Sequence, residues 1–509
     1  MTPFSVFNVG TADELEKFLT TKKKYKVARQ GNDLFIPNEF IVNPIKGADE
    51  EWLRSIYSGQ AVEAHLTVRP VGAKPIEFSI QLLQLCKCCD FFLIVVAPLG
   101  GDTSILNFIT EGAIISPGRD SDPKGASLEI IGKNRYAAST QPIGGRIPSF
   151  ATRTEARQNF SIKPGTVNNP KAVVVAIIDT GFRPGNMEDN FVKIWQGGEG
   201  GPCAIDNDFV GWNFVGQAKI ASLRNTIQVD AATGQLVNIS ENNNPEDDDR
   251  SEHGTLLAAL ISKTARQFLP DPPPEIMVLK AFDSDGIGSL YTILCALCYA
   301  EKHGADVINA SFVLPASDGL PWLRERFSEM ERKKIIIVCA AGNRTSAENP
   351  SGVQLQNDIF PACFSRNHRN VITVTSTWDA GNRHENFSDI FVNAGVVAPQ
   401  VNPDNPQRQG YFKAPYRWFR SQIAGTTDPN LATFRARGGI DLIVGSSFAT
   451  GFFTGLIAAA LKTHGGIAQS PDPNLRQFVL TRIKSLGGGL VFPSGANNVV
   501  EGNYYVELP

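Results

Sequence analysis

From Lys171 onward the chain alternates short apolar runs with helix-length segments, and this alternation constrains its fold more than any other feature. Val173–Ile178, Ile276–Ala281, Asp306–Ser311, Ile335–Ala340 and Val371–Thr375 read as strands. They are mostly apolar throughout instead of alternating with polar residues, so both faces must be buried. Between them, Thr255–Ser262 opens a helix and Ser289–His303 forms one that Gly304 stops. Trp322–Lys333 forms an amphipathic helix, and Gly451–Leu461 forms an apolar one. Strand–helix alternation of this kind predicts a mostly parallel sheet with helices on both faces, a three-layer α/β domain.

A chain of 509 residues exceeds one ordinary core, so more than one domain is expected. Residues 1–137 read as a mixed α/β domain. It has a capped helix at Thr11–Leu19 and strand-like stretches at Phe35–Pro37, Glu63–Val68, Ile76–Leu85 and Phe91–Val96, with a loop at Ser116–Gly125. Residues 138–170 are polar and rich in turn formers, a linker or lead-in. Residues 171–509 form the main domain with a C-terminal extension. Gln217–Asp249 and Val401–Arg437 read as inserted surface loops. The acidic run Glu246–Asp249 reads as solvated, although it would raise the pKa of His253 if the two were close in space.

The balance of 48 basic against 51 acidic residues argues against a nucleic-acid surface. The N-terminus shows no basic segment leading an apolar one. The most apolar run of the chain, Phe91–Leu99, is about half of what a membrane span requires. A cytoplasmic location with no membrane partner is therefore expected. The eight cysteines are expected to be free thiols. Cys86-Lys87-Cys88-Cys89 lacks a matching Cys or His pair for a metal, and Cys295 and Cys298 share an apolar helix face. Asp206-Asn207-Asp208 and Asp283-Ser284-Asp285-Gly286 read as turns. No metal and no cofactor are assigned.

Four short stretches carry chemistry. Val173–Asp179 is an apolar strand ending in a carboxylate, followed by Thr180-Gly181. His253-Gly254-Thr255 opens an apolar helix. Ala340-Ala341-Gly342-Asn343 ends a strand with an amide. Gly445-Ser446-Ser447-Phe448-Ala449 is a small-residue turn leading into a helix. A serine hydroxyl needs a base, and the base needs a group that fixes its tautomer. Amide and backbone N–H donors suit an oxyanion. His253 alone would read as a helix cap; the other three stretches make it a candidate base.

These four motifs, in the order Asp, His, Asn, Ser, resemble those of the subtilisin-like serine proteases (subtilases, the S8 peptidases). The resemblance spans roughly residues 165–470. It implies that Asp179, His253 and Ser447 form a catalytic triad and that Asn343 contributes to the oxyanion hole. It also implies that Ser311, Phe312, Val313, Ala341 and Gly342 line the substrate, since Ile308–Val313 is similar to the family's substrate-pairing segment. Val313 stands where the family usually has glycine, Glu252 where glycine precedes the histidine, Leu256 where histidine follows Gly-Thr, and Gly451 where proline follows the serine motif. The implied activity is an endopeptidase acting on protein or peptide substrates through an acyl-enzyme. The N-terminal domain occupies the position of an inhibitory prodomain, which makes intramolecular inhibition one expectation and a retained accessory or recognition domain the other. The alternative is a catalytically inactive relative that binds peptides or partners.

Overall fold

The computed structural model describes residues 12–22, 25–44, 65–69, 76–85, 88–89, 91–98, 109, 113–117, 128–139, 172–183, 192–197, 203, 210–215, 245–249, 253–269, 272–316, 320–343, 359–379, 383–384, 391–397, 413–415, 442–465, 474–487 and 504–507. Most of the 138–170 lead-in, most of both proposed insertions, Asp206–Asp208, Cys86 and Glu252 lie outside these residues.

In the N-terminal part, α1 (Ala12–Lys17) runs into a π-helical turn. Seven strands follow: β1 (Ala28–Gln30), β2 (Asp33–Pro44), β3 (His65–Arg69), β4 (Ile76–Leu85), β5 (Phe92–Pro98), β6 (Ile114–Pro117) and β7 (Leu128–Ser139). Ser116 and Pro117, expected in a loop, are strand residues. Pairing runs β2-β5-β4-β3-β6-β7 and returns from β7 to β2, so six antiparallel strands close into a barrel. Closure leaves no free edge in this ring. The period of two shows in β2, β5 and β7. Ile41, Leu93 and Ile131 turn outward and join the core cluster of the neighbouring domain.

The second part is built on β8 (Val174–Asp179), β9 (Lys193–Ile194), β10 (Gly211–Asn213), α2 (His253–Phe268), β11 (Glu275–Lys280), β12 (Ile287–Ser289), α3 (Leu290–Lys302), β13 (Val307–Ala310), β14 (Phe312–Pro315), α4 (Pro321–Arg332), β15 (Ile336–Ala340), β16 (Ile359–Phe360), β17 (Val371–Asp379), β18 (Arg383–His384), β19 (Ala394–Val397), β20 (Lys413–Pro415), β21 (Leu442–Val444), α5 (Ser446–Thr463), α6 (Leu475–Lys484) and β22 (Tyr505–Glu507). The order β10-β11-β8-β13-β15-β17-β19-β22 is parallel throughout. Alternate residues of each central strand serve opposite faces. Ile178, Leu279, Ile308 and Ile337 pack with α3 and α4. Ile177, Val278, Val307 and Ile336 pack with α2, α5 and α6. This is the predicted three-layer α/β architecture. No helix among the described residues is long and apolar enough to cross a membrane.

Helices α2 and α5 run side by side in the same direction, and glycines let them approach. A Cβ on Gly451 would lie 2.8 Å from Leu257 Cδ2, and one on Gly455 would lie 2.6 Å from Thr264 Cβ. Gly451 is thus required by the helix contact.

Two disulfides, Cys88–Cys203 and Cys89–Cys298, join the barrel region to the α/β domain. This corrects the expectation of free thiols, and Cys298 is a cross-link rather than core filling; Cys295, Cys339 and Cys363 are buried and lie outside any disulfide. The cystines close loops of 115 and 209 residues, for which chain entropy alone assigns about 5 kcal/mol each.

Gly455→Ala is expected to lower stability by about 1–3 kcal/mol through overpacking of α2 against α5. The urea midpoint should fall while the slope of the transition stays constant.

Candidate active site

Asp179 is the last residue of the central strand β8, and its side chain is fully buried. Its Oδ1 accepts the Thr180 N–H at 2.8 Å and lies 2.8 Å from His253 Nδ1. Gly181 then turns at φ +115°, where a Cβ would sit 2.4 Å from the Pro245 carbonyl oxygen. Gly254 packs on that turn, because its own Cβ would be 2.3 Å from the Gly181 oxygen. The Asp-Thr-Gly and His-Gly-Thr motifs therefore interlock through their glycines, which brings carboxylate and imidazole together.

The first turn of α2 has N–H groups that the helix cannot pair internally. Three are taken up by side-chain oxygens. His253 N–H donates to Asp249 Oδ2 at 3.4 Å, Gly254 N–H to Thr180 Oγ1 at 2.9 Å, and Thr255 N–H to Asp247 Oδ2 at 3.0 Å. Thr255 Oγ1 also donates to Asp247 at 2.7 Å. Carboxylates here are favoured by the helix dipole as well. The acidic run is thus not a solvated loop: Asp247 and Asp249 are buried.

Lys280, at the end of β11, supplies the buried positive charge. Its ammonium donates to the Thr180 carbonyl at 2.5 Å, the Phe282 carbonyl at 3.1 Å and Asp248 Oδ1 at 2.7 Å. Burial pushes the Asp247 carboxyl up, against the nearby Lys280 charge and the Thr255 hydrogen bonds. For His253, burial alone would lower the pKa. The charge and hydrogen bond of Asp179, with the charges of Asp249 and Asp247, outweigh it and raise the imidazole above its ordinary value. Sequence reasoning does not reach Lys280, Asp247 or Asp249 as site residues. A lysine inside the apolar run Ile276–Ala281 is the available signal for the first.

The serine turn lies where β21 meets α5. Gly445 has φ +122°, and a Cβ there would press to 3.0 Å from the Asn343 amide atoms. Ser446 N–H donates to Asn343 Oδ1 at 2.7 Å, and Ser446 Oγ–H donates to the same oxygen at 3.0 Å. A backbone N–H can only donate, so this contact fixes which end of the amide faces the turn. The NH₂ group of Asn343 is left to point away from Ser446. Ser447 is fully buried in the first turn of α5, and its carbonyl accepts Ser311 Oγ–H at 3.2 Å. Asn309 and Thr454 brace that contact: Asn309 Nδ2 donates to Ser311 Oγ at 2.9 Å, and Thr454 Oγ1 donates to Asn309 Oδ1 at 3.0 Å. Phe448, next to Ser447, stands edge-on to the His253 ring at 5.3 Å. The first turns of α2 and α5 therefore meet, and His253 Nε2 is buried with no hydrogen-bond partner among the described residues. Ala341, in the floor beside Asn343, is buried and donates its N–H to the Val374 carbonyl at 3.0 Å.

One strand from the N-terminal part reaches into this site. Leu128–Arg135 of β7 lie in the barrel, but Tyr136–Ser139 continue between β12 and β14. Ala138 pairs with Ile287 on one side and Val313 on the other, and Ser139 pairs with Phe312. Ser139 N–H donates to the Gly286 carbonyl at 2.8 Å, and Ser139 Oγ lies 3.0 Å from His253 Nδ1. The strand thus runs two residues into the expected lead-in. Gly286 belongs to the expected turn, in which Asp283 Oδ1 accepts the Asp285 and Ile287 N–H groups at 2.8 and 3.0 Å.

The sequence model of the Subtilase family matches residues 170–496. The chain belongs to the subtilase family. This subtilase is 28% identical over 158 residues to Subtilisin DY of Bacillus licheniformis, a match covering 30% of the chain and 53% of that protein. It is 27% identical over 224 residues to pyrolysin of Pyrococcus furiosus, covering 40% of this chain and 14% of that one. The chain thus spans about half the length of the subtilisin that it matches. Among solved structures, the epidermin leader peptide processing serine protease of Staphylococcus aureus aligns over 92% of this chain and 97% of its own, with 14% identity and a TM-score of 0.45.

For metals, the atoms of Cys88, Cys203 and His303 come within 4.8 Å of one another, but Cys88 and Cys203 share a disulfide, which consumes the thiolates that a metal would need.

Asp249→Asn should lower the His253 pKa, because one of the carboxylates that raise it becomes neutral; imidazole NMR titration reads this directly. Folded His253 holds its proton more tightly than the unfolded chain does. Its contribution to stability is therefore present below about pH 6.5, the unfolded value, and is lost as pH rises through the folded value. Lys280→Met strips two carbonyls and a carboxylate of their donor and should cost about 2–4 kcal/mol in chemical denaturation.

Proposed function

We propose that this subtilase is a serine endopeptidase, with Ser447 as nucleophile, His253 as base, Asp179 as the group that orients the imidazole, and Asn343 as an oxyanion donor. The observation that carries this reading is the buried 2.8 Å contact between Asp179 Oδ1 and His253 Nδ1, which leaves Nε2 to exchange protons with the reacting groups. Asp179 accepts the Nδ1–H, so the neutral imidazole holds its free lone pair on Nε2. That lone pair takes the Ser447 proton as Oγ attacks the scissile carbonyl. The new oxyanion accepts hydrogen bonds from Asn343 Nδ2 and the Ser447 N–H. His253 then gives its proton to the departing amine, and water, deprotonated by the same nitrogen, releases the acyl group. Protein or peptide chains are the substrates.

The same reading makes the N-terminal part an intramolecular inhibitor. Its support is β7, which occupies the slot between β12 and β14 where an extended substrate would add as a strand, with Ser139 against His253.

A fluorophosphonate probe on the full chain tests both statements. Ala138→Pro removes an N–H from a strand paired on both sides, so β7 should leave the slot and labelling should accelerate. Ser447→Ala should abolish labelling. Equal labelling of wild type and Ala138→Pro would defeat the inhibition, and no labelling of either folded protein would leave a binding scaffold. Asn343→Ala should lower kcat by about 10²–10³, the magnitude known for the corresponding donor in subtilisin itself.

A further inference from the structure

We infer that the paired cystines Cys88–Cys203 and Cys89–Cys298 are the lock that holds β7 in the substrate slot, so that a dithiol reductant is the signal that opens this site. The inference rests on the reading of β7 as an inhibitory strand.

The barrel holds Leu128–Arg135 of β7 by pairing with β2 and β6, and the α/β domain holds Tyr136–Ser139 by pairing with β12 and β14. A peptide can enter the slot only if those four residues leave it, and they are continuous with the barrel. Opening the site therefore means moving the barrel. Cys88 and Cys89 shortly precede β5, a barrel strand, whereas Cys203 follows β9 and Cys298 lies on α3. Helix α3 is capped by Ser289, the last residue of β12. The Cys89–Cys298 cystine thus ties the barrel to the element whose N-terminus carries one wall of the slot, and Cys88–Cys203 ties it to the same domain beyond β9.

A backbone cut cannot do the work of release. The peptide connection between the two parts runs through residues 140–171. Cleavage anywhere in that stretch would leave two chains joined by two cystines, with β7 still beside its slot. Tethering of this kind holds a segment at an effective concentration in the millimolar range, far above micromolar enzyme. Release of the strand with its native pairing intact therefore requires reduction. In each cystine a thiolate of the dithiol attacks one sulfur, forming a mixed disulfide and freeing one protein thiol. The second thiol of the reductant closes on its own sulfur and frees the other. Each cystine takes up two electrons and two protons, and one dithiol becomes a cyclic disulfide. Cys89 is partly exposed whereas Cys88, Cys203 and Cys298 are buried, so the Cys89–Cys298 bond is the point of entry. The site is closed in an oxidising compartment and open in a reducing one.

The test uses the full chain at micromolar concentration, with and without dithiothreitol, and reads hydrogen exchange by mass spectrometry beside fluorophosphonate labelling. Reduction should raise exchange in peptides spanning Gly288 and Val313, wall residues that pair with β7, and leave 336–340 in the sheet centre protected. Labelling of Ser447 should rise about a hundredfold, the lower end of what a tether supplies. The double variant Cys88→Ser/Cys89→Ser should show the open pattern without reductant and ignore its addition. Free thiols at all four positions in air-purified protein would overturn the inference. So would unchanged exchange at Gly288 and Val313 after full reduction, or exchange rising equally at 336–340, which would make the cystines purely structural. Exchange that opens on reduction while Ser447 stays unlabelled in every state would keep the lock and discard the peptidase reading.

Discussion

A carboxylate and an imidazole share a site with almost no solvent, and the surrounding structure answers to that constraint. An isolated charge at such depth would cost more than the fold can supply. The solution is local and dense. Asp179 receives a backbone N–H and faces His253, while Asp247 and Asp249 direct their charge at the N–H groups that begin α2. Lys280 sits among them and ties three separate segments together. The glycine contacts of the Asp-Thr-Gly and His-Gly-Thr motifs belong to the same solution, since any Cβ there would separate the two groups.

Much of this is legible in the order of the amino acids. Apolar strand-length runs place the parallel sheet because burial on both faces leaves no alternation to hide them. Asp179, His253, Asn343 and Ser447 are legible because each ends a strand or begins a helix, in short stretches whose glycines and small residues have no other use. The acidic run is not legible. Its burial depends on partners at Phe182, Thr255 and Lys280, and a polar insertion precedes it, so composition points to solvent. The cystines are hidden for a related reason: their partners lie 115 and 209 residues away, and no local spacing reports them.

Strand β7 escapes a local reading for a different physical reason. Gly132-Lys133-Asn134-Arg135 interrupts its apolar pattern, yet three of those four positions carry specific work. Asn134 donates to Glu39 Oε2 at 2.7 Å within the barrel and accepts the Tyr291 N–H at 3.0 Å from α3. Lys133 and Arg135 lie over the Phe35 ring, at 4.8 and 5.2 Å. Polar residues that bridge two domains look like a turn when only their sequence neighbours are considered.

The division of β7 between two sheets couples its place beside His253 to domain docking. A peptide tail that merely visited the slot could leave by fraying its end. Here fraying is opposed at both ends of the four-residue segment: toward the barrel by continuous strand pairing, and at Ser139 by the Gly286 carbonyl and the imidazole. Tyr136 adds a buried anchor, its hydroxyl donating to the Lys26 carbonyl at 2.9 Å and its ring meeting Tyr25 edge-on at 6.0 Å. Tyr25 in turn donates to Asp283 Oδ2 at 3.1 Å, in the turn that presents Gly286. The strand beside His253 and the turn that holds its end are therefore joined through one tyrosine pair. Occupancy of the slot is thereby a property of the whole interface rather than of the strand alone.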